Sequence, residues 1–302
     1  MKKQRIDIKE EVTNQIIQSL ENGNIAPWTC PWIKTGENAI PYNFSTSASY
    51  SGINILLLWM SAMNKGFTRN GWLTFKQAKE LGGQVRKGEK GTRAVIYKPF
   101  DKEVEKENGK QETETRYYIN HFVLFNVDQI DGLELPELQE PIMIGDQEAV
   151  EMMNEIATKY ADRTGLKITF GGDNAVYYAC FDTVKMPTTC KTGGDYVATL
   201  AHELGHSTGH KKRLNRYDDS VLKFTNSKEE YAYDELVAEL CSHMFTATLG
   251  VEGQHEQHVS YIDHWLTHLK KDKGLIFRAA GAASKAFDLI MNNKAAKAKK
   301  SA

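Results

Sequence analysis

The spacing of apolar side chains divides the chain into two successive units, and the first of these alternates helical and strand patterns. Helices are predicted at residues 8–22, 52–64 and 74–81, and strands at 93–99 and 117–127. Between the strands lies a charged stretch, 101–116, which we expect to be a solvated excursion that turns at Asn108-Gly109.

The second unit is mostly helical. It opens with an amphipathic run at 146–160 and contains one alternating segment, 175–186, which predicts a strand. An acidic, proline-containing stretch at 132–145 precedes it and is expected to be a linker. We therefore predict an α+β protein of two domains, residues 1–135 and 146–291, which suits a length of 302 residues.

Composition excludes several classes of protein. Lysine and arginine number 38 and aspartate and glutamate 39, so the net charge is −1 and any nucleic-acid binding must be local. The longest apolar stretch, 53–63, is far short of the ~20 residues of a membrane helix, and we expect no membrane partner. No signal-peptide pattern is visible, and four cysteines without a CxxC pair favour reduced thiols, so a cytoplasmic location is expected.

The strongest chemical signal is the sequence HELGH at 202–206. Residues four apart on a helix share a face, so His202 and His206 can direct their imidazoles at one Zn²⁺ while Glu203 lies beside them. Asp195 is a plausible N-cap for this helix, and Gly209 is placed to end it. Chance matches to this motif occur in other helices, so a third ligand decides whether there is a metal site.

Two candidates exist for that third ligand. Lys212 stands where a metzincin has its third histidine, which excludes that class, and His210 could be a ligand or could simply cap the helix. A second helix, 227–249, opens with a capping box and carries Glu235, Glu239 and His243 at four-residue intervals beside its core stripe. These acids could belong to a solvated face. Alternatively, one glutamate completes a His₂Glu catalytic zinc site while the other accepts the free N–H of a ligand histidine.

Such a ligand set predicts hydrolysis. Zinc would lower the pKa of water to about 7 and polarise a carbonyl, while Glu203 would take the proton during attack and return it to the leaving amine. Segment 175–186 could be an edge strand that pairs with an extended peptide, or an ordinary sheet strand.

The first unit combines aromatic and basic residues. Between Lys65 and Lys98 there are nine basic residues and two acidic ones, a local net charge of +7. Cations for phosphates and aromatic rings for stacking are what a single-stranded nucleic-acid groove needs, although a solvated basic face and a tryptophan-rich core are the ordinary alternatives. On side-chain chemistry the candidate DNA-binding residues are Trp28, Trp32, Tyr50, Asn54, Trp72, Lys76, Arg86, Lys87, Lys90 and Arg93.

Long motifs across nearly the whole chain resemble ArdC-type antirestriction proteins of plasmids and other mobile elements. They include LENGNIAPWTCPW, GWLTFKQAKELGGQVRKGEKGT, YVATLAHELGHSTGHKKRLNR and YAYDELVAELCSHMF. The resemblance implies a single-stranded-DNA-binding domain followed by a zincin-like metallopeptidase domain related to SprT-like proteases. It places the zinc ligands on His202, His206 and Glu235, with Glu203 catalytic and Glu239 left as the second acid, and it implies protection of incoming DNA from host restriction during conjugation.

Three functions are therefore weighed. The first is an antirestriction protein that binds single-stranded DNA and carries a zinc peptidase site, with a host protein as a further partner. In the second, the zinc site is structural or vestigial and DNA coating alone protects. In the third, the chain is a free-standing peptidase whose basic unit recognises a protein.

Overall fold

The fold is taken from a computed structural model that describes residues 7–21, 39–105, 111–138, 145–217, 228–252 and 258–292. The first half contains small strands interleaved with three helices. In chain order they are α1 (Ile8–Glu21), β1 (Tyr42–Asn43), α2 (Ile53–Lys65), β2 (Gly71–Leu73), α3 (Phe75–Glu80), β3 (Gln84–Val85), β4 (Thr92–Glu105), β5 (Gln111–Asn126) and β6 (Ile130–Asp131).

The second half is mostly helical, with one small sheet. Its elements are α4 (Asp146–Thr164), β7 (Lys167–Phe170), β8 (Val176–Tyr178), β9 (Thr183–Met186), α5 (Gly193–Ser207), α6 (Lys228–Leu249), α7 (His258–Lys271) and α8 (Leu275–Ile290). The protein is α+β, as the sequence predicted. Across the described ranges, no helix has both the length and the apolar character that a bilayer crossing requires.

The first-half helices form where the pattern predicts them because local signals define their ends. Thr74 begins α3 with a capping box, in which its hydroxyl accepts from the Gln77 N–H. Gly66 ends α2 in the left-handed conformation, with φ of 66°. The sheet beside them has the order β1-β2-β5-β4, and β3 pairs with β6 separately.

The β4–β5 hairpin is longer than predicted. Pairing runs from Thr92 opposite Leu124 to Glu105 opposite Gln111, so most of the stretch expected to be a solvated excursion is antiparallel ribbon. A two-stranded ribbon can be solvated on both faces, so polar side chains do not interrupt it. The predicted turn at Asn108-Gly109 lies outside the described residues.

The prediction of one strand over 175–186 is wrong. β8 and β9 pair antiparallel, and β7 joins β9 in parallel, so that β8 lies at one edge of the sheet. The chain reverses between them, where Asp182 has a positive φ of 49° and the Phe181 ring is 74% exposed. The alternation of apolar residues continues through this turn and therefore did not predict it.

The two helices that carry the candidate site cross closely. A Cβ at Gly205 of α5 would lie 3.0 Å from the Ala238 Cα of α6, which is tighter than an ordinary contact. Only small residues permit this approach. The close crossing brings His202 and His206 on α5 to Glu235 on α6.

The two halves share one hydrophobic core. The Thr13 hydroxyl donates to the Lys273 carbonyl at 2.8 Å, and the Tyr97 and Phe277 rings lie 5.2 Å apart. The Gly52 N–H donates to the Ser284 hydroxyl at 2.7 Å. The C-terminal helices α7 and α8 thus pack on the first half. The predicted domain limits remain predictions, and residues 139–144 of the predicted linker lie outside the described ranges.

Candidate metal centre

Helix α5 positions both histidines of the HELGH sequence. Its N-cap is Thr192, whose hydroxyl accepts from the Asp195 N–H at 3.0 Å, so Asp195 lies in the first turn and is not the cap we predicted. The helix ends at Ser207, two residues before Gly209. Val197 and Leu200 of its apolar stripe are fully buried, and Gly205 lies against Ala238 of α6.

Three side chains converge on one point. The Nε2 atoms of His202 and His206 are 3.0 Å apart, and the carboxylate of Glu235 lies 3.4 Å from the first and 3.5 Å from the second. Metal–ligand bonds of about 2.0–2.2 Å in tetrahedral coordination place ligand atoms about 3.3–3.6 Å apart. The two distances to Glu235 lie in this range, and the 3.0 Å between the imidazole nitrogens is slightly below it. Among the described residues, His202, His206 and Glu235 are a group that could hold one divalent metal ion.

The electrostatics of the site favour a cation. Burial alone would lower the pKa of His202, but the carboxylates of Glu235 and Glu239 outweigh it and raise that pKa well above its ordinary value. Burial would likewise raise the pKa of Glu235, yet the two imidazoles lower it. Glu203, next to His202 on α5, is itself only 8% exposed. A buried excess of carboxylates around two imidazoles binds positive charge, whether as protons or as a metal ion.

Glu239 lies between His202 and His243. Its carboxylate lies 3.6 Å from the Nδ1 of His202 and 3.0 Å from the Nε2 of His243. His243 is buried, as its place beside the core stripe suggested. A carboxylate at Nδ1 favours the tautomer that leaves Nε2 of His202 free to bind a metal.

Asp234 contacts one of the two histidines, and the sequence did not predict it. It accepts hydrogen bonds from the Nδ1 of His206 at 2.5 Å, from the Tyr217 hydroxyl at 2.8 Å and from the Arg216 guanidinium at 2.9 Å. Burial would raise the pKa of Asp234, but His206 and Arg216 hold it far below its usual range. The only signal in the sequence was its position directly before Glu235.

A second buried ion pair lies beside the site. The Arg213 guanidinium pairs with Asp182 through both carboxylate oxygens and donates to the Tyr177 hydroxyl and to the Ser207 carbonyl. This connects the turn after β8 to the end of α5. His210 accepts from the Lys212 N–H at 3.3 Å, and it is not among the three described residues that could hold a metal ion together.

Two of the four predicted aromatic DNA contacts, Tyr50 and Trp72, lie among the described residues. Trp72 is fully buried and packs edge-on against Phe67, so its predicted stacking on a base is wrong. Tyr50 is half-buried, and burial raises its pKa. Trp28 and Trp32 lie outside the described residues.

Asn54 has a structural task in place of the predicted DNA contact. Its amide accepts from the Val95 N–H at 2.7 Å and donates to the Val95 carbonyl at 2.8 Å. β4 lies at the edge of its sheet, so this side chain satisfies backbone groups that would otherwise be unpaired. Contact with DNA through the Asn54 amide would require breaking both bonds.

The basic residues predicted to contact DNA lie at the surface, but carboxylates pair with two of them. Arg86 pairs with Glu89 and with Asp131, and Arg93 binds both carboxylate oxygens of Glu11. Asp131 and Glu11 fall outside the segment in which +7 was counted. The remaining three, Lys76, Lys87 and Lys90, are exposed.

Comparison with known proteins gives the same two-part division. Residues 6–125 match the family model of the N-terminal domain of anti-restriction factor ArdC, and residues 155–282 match that of a zincin-like metallopeptidase. "Uncharacterized protein y4eC" of Sinorhizobium fredii is 34% identical over 93% of this chain and 91% of its own length. The DNA primase TraC of Escherichia coli is 36% identical, but this chain spans only 20% of it.

Solved structures match over almost the full length. The antirestriction ArdC protein from plasmid R388 covers 96% of this chain and is itself covered to 99%, with 36% identity and a TM-score of 0.74 for the metal-free crystal structure. Its Mn(II)-bound structure is similar at 37% identity and a TM-score of 0.73. Sequence and fold agree over 96% of the chain, which belongs to the ArdC antirestriction family.

Proposed function

We propose that this protein is an antirestriction factor that binds single-stranded DNA through its first half and hydrolyses peptide bonds at a zinc site in its second half. The observation that carries the peptidase part is the convergence of His202, His206 and Glu235, with Glu203 buried on the same helix. Three protein ligands leave a fourth position for substrate or water, as catalytic zinc sites require.

Each residue then has a role in hydrolysis. A bound zinc ion supplies Lewis acidity, both to a peptide carbonyl and to a water molecule. Glu203 accepts the proton of the attacking water and delivers it to the leaving amine. Glu239 and Asp234 each face the Nδ1 of one histidine and hold the imidazole in its ligating tautomer.

The choice of zinc rests on the donor set. Two imidazole nitrogens and one carboxylate are the His₂Glu set of catalytic zinc sites, and hard cations such as Mg²⁺ prefer oxygen-only surroundings. The R388 protein has been crystallised with Mn(II), so manganese is the competing ion for this chain. A competition titration of zinc against manganese, with the zinc:protein ratio measured by mass spectrometry, decides between them.

DNA binding is proposed for the exposed cations of the first half. Lys76 has 86% of its side chain exposed, and its 3.6 Å ion pair with Glu80 is solvated and therefore weak. Phe75, the neighbouring residue, is 54% exposed and offers a ring on which a base can stack. Lys87 and Lys90 add charge at the turn before β4.

The experiment compares the zinc-loaded full chain with its Glu203→Gln variant on a proteome-derived peptide library and in a restriction-protection assay. We expect cleavage by the wild type and none by the variant, with equal zinc content in both. Undiminished protection by the variant, together with no cleavage by the wild type, would favour the account in which DNA coating alone protects.

DNA binding is measured on the same preparations. Affinity for a labelled oligothymidine must fall steeply as salt rises, because phosphate contacts release counterions. An affinity that does not change with salt would instead favour a basic surface that recognises a protein.

A further inference from the structure

The outer part of the β4–β5 hairpin presents four side chains on one face. Lys98 lies opposite Tyr118 in the ladder, and Phe100 lies opposite Arg116. Directly opposite residues of an antiparallel pair share a face, as do residues two apart on one strand. Lys98, Phe100, Arg116 and Tyr118 therefore form a single surface, called here the ribbon face, on which cations and aromatic rings alternate in both directions.

The ribbon face is solvated although it carries two large rings. Phe100 is 46% exposed and Tyr118 is 51% exposed, and the side chains of Lys98 and Arg116 are exposed as well. The Asn120 amide donates to the Tyr118 hydroxyl at 3.1 Å and restrains that ring. Tyr97, which alternates to the other face of β4, packs against Phe277, so the base of the ribbon is anchored on the second half of the protein.

We propose that the ribbon face is a contact surface for single-stranded DNA. This inference rests on the proposed function and adds a site that lies outside the residues predicted from sequence. Cations beside exposed rings match the chemistry of a single strand, whose phosphates are charged and whose bases are free to stack. A duplex would offer its phosphates to Lys98 and Arg116 but no free base to Phe100 and Tyr118.

The limits of the surface follow from the strand register. Further out along the ribbon, Lys102 lies opposite Glu114, so the excess of positive charge ends there. Toward the base, β4 begins at Thr92, just after the turn that carries the exposed Lys87 and Lys90. Between that turn and the ribbon face, Ala94 and Val95 are buried, so the ribbon face is a surface separate from Lys87 and Lys90.

The test uses the full chain and fluorescence anisotropy with a labelled oligothymidine. Phe100→Ala and Tyr118→Ala should each weaken binding about fivefold or more, because each removes one stacking ring. Tyr118→Phe keeps the ring and should bind as the wild type does. The matched control is Phe170→Ala, which removes a ring that is 60% exposed on β7, and its affinity should be unchanged.

The charges are tested through the salt dependence. In the double variant Lys98→Gln/Arg116→Gln, the slope of log affinity against log salt should decrease by about 1.4, or about 0.7 for each phosphate that is no longer neutralised. Lys159→Gln, which removes an exposed lysine from α4, is the control and should leave the slope unchanged.

The outcomes separate this inference from the proposed function. If the wild type and the ribbon-face variants bind the oligonucleotide equally well, the ribbon face is not a DNA contact surface, but the proposal that the protein binds DNA stands. Wild-type protein that does not bind overturns the DNA-binding function itself. Equal losses for single strand and for duplex in the alanine variants overturn the assignment to single strands. Circular dichroism melts establish that each variant is folded before its affinity is interpreted.

Discussion

The carboxylate of Asp234 supports a prediction about metal affinity. Asp234 accepts from His206, Tyr217 and Arg216 at 2.5–2.9 Å, and its side chain is only 16% exposed. Asp234→Asn keeps the volume of the side chain and removes the negative charge. His206 then loses the charged acceptor at Nδ1, which makes its Nε2 more basic and fixes the orientation of the ring.

The expected magnitude has two parts. Loss of a carboxylate behind a ligating histidine typically weakens metal binding by 10- to 100-fold, which corresponds to about 1.4–2.7 kcal/mol. In addition, Arg216, with 8% of its side chain exposed, is left as a buried cation without its partner carboxylate. Removing one member of a buried pair costs up to about 3–5 kcal/mol of folding stability. The variant should therefore bind metal more weakly and also melt at a lower temperature.

A matched control separates these two effects. Asp182→Asn removes the carboxylate from the other buried pair, with Arg213, whose side chain is 2% exposed. The guanidinium of that pair binds the Tyr177 hydroxyl and the Ser207 carbonyl, outside the group of His202, His206 and Glu235. Asp182→Asn should therefore lower the melting temperature to a similar extent and leave metal affinity within about threefold of the wild type, whereas Asp234→Asn should lower both.

The assay is competition for zinc with a chromophoric chelator at neutral pH, on protein shown to be folded by circular dichroism. Melts with and without zinc give an independent measure, because a ligand that binds only the native state raises its stability by an amount that grows with the logarithm of the binding constant. Two results would refute the reasoning: unchanged zinc affinity in Asp234→Asn, or an equal loss of affinity in Asp182→Asn.

Three further predictions test other parts of the account. Glu203→Gln should retain zinc and DNA binding while peptide hydrolysis falls to background, and loss of zinc in this variant would make Glu203 a ligand instead. Gly205→Ala should destabilise the protein by about 1–3 kcal/mol and weaken zinc binding, because the new Cβ would press on Ala238 and push α5 away from α6. Calorimetry with a zinc titration measures the stability and the zinc affinity. Burial would raise the pKa of Asp182, but Arg213 outweighs burial and lowers it. The stability that the ionised Asp182 contributes is therefore complete above the carboxyl pKa of the unfolded chain, about 3.9, and is lost as the pH falls through the pKa of Asp182 in the folded protein. The stability difference between wild type and Asp182→Asn should therefore be constant near neutrality and shrink below about pH 4 in urea titrations; a difference independent of pH would contradict the pairing.

The convergence of His202, His206 and Glu235 could be predicted because its determinants are local. The four-residue spacing of His202 and His206 fixes their common face on a helix, and the position of Glu235 beside a core stripe turns it inward. Asp234 was missed because adjacent helical residues diverge by about 100°, and the sequence does not show that His206 would lie within its reach.

The first half was harder to predict because its determinants are not local. Trp72 lies on a short strand between β1 and β5, so burial from both sides depends on pairings that are distant in sequence. The count of +7 was correct for its segment, but Glu11 and Asp131 approach Arg93 and Arg86 only in the folded chain. The ribbon was overlooked because polar strands that are solvated on both faces do not show the alternation that marks a half-buried strand.

The central claim is that His202, His206 and Glu235 together hold one divalent metal ion. Equilibrium dialysis of the full chain against zinc, with metal quantified by mass spectrometry, tests it most directly when wild type and Glu235→Gln are compared. We predict one tightly bound zinc per wild-type chain and a loss of affinity of at least 100-fold in the variant, since a carboxylate ligand is replaced by a neutral amide. A wild-type chain that binds no zinc, or a variant that binds it with wild-type affinity, would contradict the account.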